Sequence, residues 1–193
     1  MTSRTRLIAF INAGHTLTHR HLPRLPHWKQ VKQVCGDRLA LFDHGFHPSS
    51  FAYPYGSLDK RVEKVVRHCG YNTGRGVYGL DSSGCDTAPP CPFAETIPPA
   101  NPWFTRTTEA PVKDTTFATL KSYVTGAERH GGGWVQIFFH KVCAGCDQYS
   151  TRAKLLRRFM RWLRSVRGDG VIVRTTAQVI HEPVKPPVAP GRG

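Results

Sequence analysis

Short continuous apolar runs alternate along the chain with stretches whose apolar residues recur every three or four positions, the patterns of buried strands and of helices packed on one face. Leu7-Ile8-Ala9-Phe10-Ile11 reads as a buried strand broken by Asn12-Ala13-Gly14. Trp28, Val31, Val34 and Leu39 predict a helix interrupted near Gly36. After a loop from Phe46, Ser50-Phe51-Ala52-Tyr53 predicts a short strand stopped by the turn Pro54-Tyr55-Gly56. Ser57 is placed to cap a helix through Val62, Val65, Val66 and Cys69, which ends at Gly70.

From Gly74 to Thr108 the Gly, Pro, Ser and Thr content predicts one long loop. A helix then starts at Asp114 or Thr115, runs through Phe117, Leu120, Val124 and Ala127, and ends at Gly131-Gly132-Gly133. Trp134 to Phe139 is the clearest strand pattern, with His140 at its carboxyl end. A helix over Ser150 to Val166 turns Leu155, Leu156, Phe159, Leu163 and Val166 inward and leaves seven cations, from Arg152 to Arg167, on a solvated face. Val171 to Thr175 is a final strand, and the Pro-rich stretch 183–193 is expected to be an extended, disordered tail behind one domain spanning 1–182. Strand and helix in alternation imply an α/β fold with a parallel sheet or an incomplete barrel, in which functional groups collect at strand carboxyl ends. His15, His19, Tyr55 and His140 all fall at such places.

Charge and cysteine content narrow the classes. The 193 residues carry 27 Lys and Arg against 13 Asp and Glu, a formal charge of +14, so polyanions attract the chain. The cations are scattered and no compact basic arm interleaved with aromatics occurs, which argues against a dedicated nucleic-acid reader. No apolar run is long enough to span a bilayer, and the amino terminus has no signal-peptide pattern. Six cysteines suit disulfides in an oxidising compartment, most simply Cys35 to Cys69, Cys85 to Cys91 and Cys143 to Cys146. A zinc site at Cys143-Ala144-Gly145-Cys146 lacks the second pair a zinc ribbon needs, but sequence leaves the connectivity open.

Within Gly14-His15-Thr16-Leu17-Thr18-His19, two imidazoles four residues apart can stack on one helical turn, a geometry that suits a metal ion. In isolation such a pair is more often a solvent-facing accident. Its company changes that reading. The segments Gly14 to Leu22, Phe51-Ala52-Tyr53-Pro54-Tyr55-Gly56 and Gly132 to His140, in that order, resemble the polysaccharide deacetylase family, in particular a secreted actinobacterial member.

That resemblance implies a distorted (β/α) barrel that uses a divalent metal, zinc or another, to remove acetyl groups from N-acetylated polysaccharide such as chitin-like or peptidoglycan-like glycan. It implies His15 and His19 as metal ligands, and His140 as the acid that protonates the departing amine. Pro54, Tyr55 and Gly56 would form the groove wall, with the Tyr55 N–H on the oxyanion. Trp103 and Arg106 are the candidates for further substrate-side contacts. An extracellular or cell-envelope monomer with no specific nucleic-acid partner is expected. The family's opening strand, ending Thr-Phe-Asp-Asp-Gly, has no counterpart before His15, and Asp43 and Asp114 lie in no matching context. The expectation is therefore a domain truncated in its first strand region whose hydrolysis is impaired, or an inactive relic that still binds glycan.

Overall fold

The computed structural model describes residues 6–10, 13–80 and 91–191. In chain order the elements are β1 (Arg6–Phe10), β2 (Ala13–Gly14), α1 (His27–Asp43), β3 (Ser50–Ala52), α2 (Lys60–His68), β4 (Thr73–Gly79), β5 (Thr105–Thr107) and α3 (Phe117–Arg129). They continue with β6 (Gly133–Gln136), β7 (Lys141–Val142), β8 (Ser150–Thr151), α4 (Ala153–Ser165), β9 (Val171–Thr175) and α5 (Thr176–Ile180). This is the mixed α/β class expected, with parallel strand pairing throughout both larger sheets wherever register is defined.

The chain divides into two compact units. The first holds residues 1–10, 78–100 and 106–175. Here β1 is the centre of a parallel sheet in the order β6-β1-β9, with Leu7 opposite both Trp134 and Ile172. Its core joins Leu120, Val124 and Ala127 of α3 to Phe159 and Leu163 of α4 and to Val135 and Val171 of the sheet. These are the helical positions the three and four residue spacing selected. The seven cations of the α4 segment, from Arg152 to Arg167, are all exposed, as that spacing requires.

The second unit holds residues 11–77, 101–105 and 176–193. In it β2, β3 and β4 lie side by side and parallel, with Ala13 opposite Ser50 and Ser50 opposite Thr73. Its core gathers Val34 and Cys35 of α1, Phe51 of β3, Val62, Val65 and Val66 of α2, and Tyr53 and Tyr71. The Cys35–Cys69 disulfide ties α1 to the end of α2, and Cys143–Cys146 closes the loop after β7, both as paired from sequence. Cys91 is also disulfide-bonded, while Cys85, its expected partner, lies outside the described residues.

Several local expectations need correction. Helix α1 runs through Gly36 unbroken, because one glycine costs a helix only about 1 kcal/mol and the flanking turns are packed. The cap of α2 is Asp59, whose carboxylate accepts from the N–H groups of Arg61 and Val62, and not Ser57. The stretch 74–108 contains strands β4 and β5, which its glycines concealed. Those glycines serve close packing: a Cβ on Gly74 would meet the Tyr53 hydroxyl at 2.6 Å, and one on Gly76 the Phe104 ring at 2.5 Å. Strand β6 stops at Gln136, so His140 stands four residues beyond a strand end, exposed beside Tyr149. The stretch from Pro183, for its part, supplies backbone acceptors to the second unit: Asn72 donates to the Pro183 carbonyl at 2.8 Å.

Candidate active site

Strands β2 and β3 are parallel neighbours, and the chain leaves both at the same sheet edge. His15 follows β2 directly and Tyr55 stands three residues beyond β3, which brings the two to the carboxyl ends where parallel sheets present functional groups. The His15 and His19 ring centroids are 4.7 Å apart, and those of His19 and Tyr55 4.5 Å. His21 stacks flat on the Tyr55 ring, 3.8 Å away with 9° between planes. Three of the sequence-selected residues thus share one cluster, and His21 joins it.

The histidines do not lie on a helical turn, as their spacing suggested. Residues 15–20 form a loop in which Thr16 (φ 69°) and His19 (φ 51°) are left-handed, a conformation that folds the second imidazole back toward the first. Two groups on α1 hold that loop. Gln33 takes the N–H of Thr18 on its Oε1 and the N–H of Leu17 on its carbonyl, and one turn later Asp37 Oδ2 takes the N–H of His15 at 2.9 Å. Gly14 is needed beneath them, since a Cβ there would fall 1.8 Å from the Tyr71 hydroxyl and 2.8 Å from Asp37 Oδ2. Asp37, Gln33 and Tyr71 escaped sequence reasoning. Their only sequence signal is a polar pair at i and i+4 flanking buried Val34, which resembles any solvated helix face.

The His15 ring is oriented by a backbone carbonyl of β3. Its Nδ1 lies 2.7 Å from the Ala52 carbonyl oxygen. A carbonyl only accepts, so Nδ1 donates to it, and in the neutral ring that leaves Nε2 as the acceptor nitrogen, the second-shell arrangement typical of metal-binding imidazoles. Burial raises the pKa of Asp37 above the usual carboxylate value, against the opposing bonds from the His15 and Thr16 N–H groups and the Tyr71 hydroxyl. Its oxygen is committed to backbone, so it serves the loop. Among the described residues no group of three or more His, Cys, Asp or Glu side chains is arranged to hold a metal ion. The two imidazoles are accordingly a two-donor set.

The turn after β3 presents Tyr55 in a left-handed conformation (φ 59°), with its ring 54% exposed and Pro54 buried beside it. In that single 3-10 turn the Tyr55 N–H has no intrahelical acceptor. Trp103, in the same unit, packs on the core under the Arg67 guanidinium, 4.3 Å from its ring centroid. Arg106 belongs to the other unit, where its guanidinium holds buried Glu95 through two bonds of 2.9 and 2.8 Å. His140 is also in that unit, directly before β7 and the loop that Cys143–Cys146 closes.

Residues 11–74, about a third of the chain, match the polysaccharide deacetylase family model. That segment contains the histidine pair and the Pro-Tyr-Gly turn. Among solved structures, the chain is similar to a protein from Mycobacterium smegmatis designated a polysaccharide deacetylase, with 17% identity, a TM-score of 0.56 and coverage of 88% of this chain and 61% of that one. A family 4 carbohydrate esterase from Streptomyces lividans, solved with acetate, aligns at 17% identity and a TM-score of 0.49 over 83% of this chain and 62% of that one. An exo-type maltose-forming amylase from a Pyrococcus species aligns at 13% identity and a TM-score of 0.50, covering 86% of this chain and 30% of its own. The chain therefore spans about three-fifths of the first two and less than a third of the last. At these identities the likeness is one of fold. No curated protein matches the chain significantly.

Proposed function

We propose that this chain, which carries the polysaccharide deacetylase pattern over residues 11–74, is a hydrolase of that type, acting on the N-acetyl groups of an extracellular or cell-envelope glycan. The observation that carries the reading is the His15–His19–Tyr55 cluster at the carboxyl edge of two parallel strands, with the His15 tautomer set by the Ala52 carbonyl. His15 and His19 would hold a divalent metal, zinc being the choice that imidazole donors favour. When bound, such an ion supplies Lewis acidity, polarising an acetyl carbonyl and making a water more acidic.

The chain's own groups do the rest. The Tyr55 N–H, free of an intrahelical acceptor, would donate to the developing oxyanion, a contact worth about 3 kcal/mol where it is made only in the transition state. Pro54 and Gly56 form that turn, and Trp103 packs on the core of the same unit. The family resemblance gives His140 the role of proton donor to the departing amine and Arg106, whose guanidinium Glu95 holds, that of a substrate-side contact. The disulfides agree with an exported setting. A zinc enzyme ordinarily uses three protein ligands; among the described residues none completes the pair, so a two-imidazole site would bind metal weakly and work without a dedicated base. Turnover is then reduced by roughly two to four orders of magnitude.

Zinc titration followed by calorimetry, with acetate release from chitotetraose, tests this. Weak zinc binding abolished by H19Q, together with slow acetate release that needs zinc, is the expected result. Oligosaccharide binding with no acetate released at saturating zinc would overturn it and favour the glycan-binding relic, which the two-donor set also fits.

A further inference from the structure

Two adjoining clefts run along the loop that carries the histidines. The first, about 480 Å³, contains His19, His21, Arg24 and the exposed Tyr55 ring; the second, about 440 Å³, contains Trp28, Lys29 and Lys32, and Thr18, Arg20 and Leu25 belong to both. They form one path from the imidazole pair to the first turn of α1.

The lining is one-signed. Arg20, Arg24, Lys29 and Lys32 are all exposed, and among the described residues no Asp or Glu borders either cleft. None of the four takes part in an ion pair among the described residues, whereas Arg61, Arg67 and Arg106 each have a carboxylate partner. The loop anchors are spent inward: Gln33 and Asp37 bind backbone. Four cations held along a concave surface without counter-charges raise the local concentration of an anion. Alongside them, Trp28 is 53% exposed and Tyr55 54%. The ring surface left open, with His21 stacked on one face of Tyr55 and the Lys29 ammonium 5.1 Å from the Trp28 ring centroid, offers apolar contact to a pyranose ring while the cations reach its charged substituents.

We infer that this groove binds an acidic polysaccharide, an N-acetylated glycan bearing regularly spaced carboxylates, and feeds it past the histidine pair. The inference rests on the deacetylase reading for the acetyl end of the path, and on the groove's own charge and rings for the acidic part. A nucleic acid would satisfy the charges too, but the groove's continuity with a cluster suited to acetyl chemistry favours the glycan.

The test measures binding of the full chain to a hyaluronan octasaccharide, in which N-acetylated sugars alternate with uronic acids, to the uncharged chitin octasaccharide, and to an oligothymidylate of matched charge. Hyaluronan should bind about tenfold tighter than the neutral glycan and lose that advantage between about 50 and about 200 mM NaCl. K29Q/K32Q should bring its affinity down to the neutral level with unchanged thermal melting. K154Q/R157Q, which removes equal charge from exposed positions on α4, should leave binding intact. Equal affinity for the two glycans, an equal loss in the α4 variant, or oligothymidylate binding as tight as hyaluronan would each overturn the inference. Acetate release from the neutral glycan is scored separately, so failure of the hydrolase reading and failure of the groove assignment give different results.

Discussion

The Asp37 carboxylate sits where burial disfavours its charge, and the bonds from His15, Thr16 and Tyr71 offset this only in part, so its pKa stands above the ordinary value of 3.8. The sign of the consequence follows from linkage. Between the ordinary value and the raised one the folded chain keeps a proton that the unfolded chain gives up, so this contribution to stability is present at acid pH and lost as pH rises through the raised pKa. Asparagine keeps the shape and does not titrate. The melting temperature of the natural chain minus that of D37N should therefore fall as pH rises from below the ordinary value of 3.8, and a difference that stays flat would contradict the assignment. At this scale the sequence made the histidines visible as a pair but not the geometry that joins them. Thr16 and His19 adopt left-handed backbone that no spacing rule anticipates, and Asp37 matters only because folding puts it under His15.

Helix α2 shows what can and cannot be read of an element. Its apolar spacing and closing Gly70 were legible, since periodicity and a left-handed glycine are local signals. The cap was misplaced by two residues, because Ser57 and Asp59 are both competent and only the path of the turn after Pro54 selects between them. Burial pulls the Asp59 pKa up, but the Val62 N–H, the Arg61 side chain and the Arg61 N–H outweigh it and hold the carboxyl below its usual range. The stabilisation is thus present at neutral pH and is lost as pH falls through the depressed value. D59A should cost about 1 kcal/mol at neutral pH in urea denaturation. S57A should cost nothing measurable, and the reverse ranking would restore the serine cap. Strand β4 was hidden for the opposite reason: its glycines look like loop, and they are there because Tyr53 and Phe104 occupy the space side chains would need.

At the scale of the whole chain, Arg38 links segments far apart in sequence. Its side chain is fully buried, between the Phe42 and Tyr71 rings, and donates to the carbonyls of Pro48, Cys69, Lys185 and Pro186. Burial lowers its pKa, so the carbonyls do the work of a counter-ion. Ending the chain at Glu182 removes two of them and should cost about 2 kcal/mol or more, as charged buried donors lose their acceptors. In an R38M background the same truncation should cost far less, and equal losses in both backgrounds would show that the stretch from Pro183 acts elsewhere.

The sequence by itself determined the α/β class, the long amphipathic helices, two of the disulfide pairings and the family resemblance, because periodicity, cysteine spacing and short motifs are written in neighbouring residues. Tertiary structure alone decided which carboxylate holds the histidine loop, which carbonyls a buried arginine takes, and that unpaired cations line a groove beside the imidazoles. Those depend on which surfaces meet, and local pattern does not encode that.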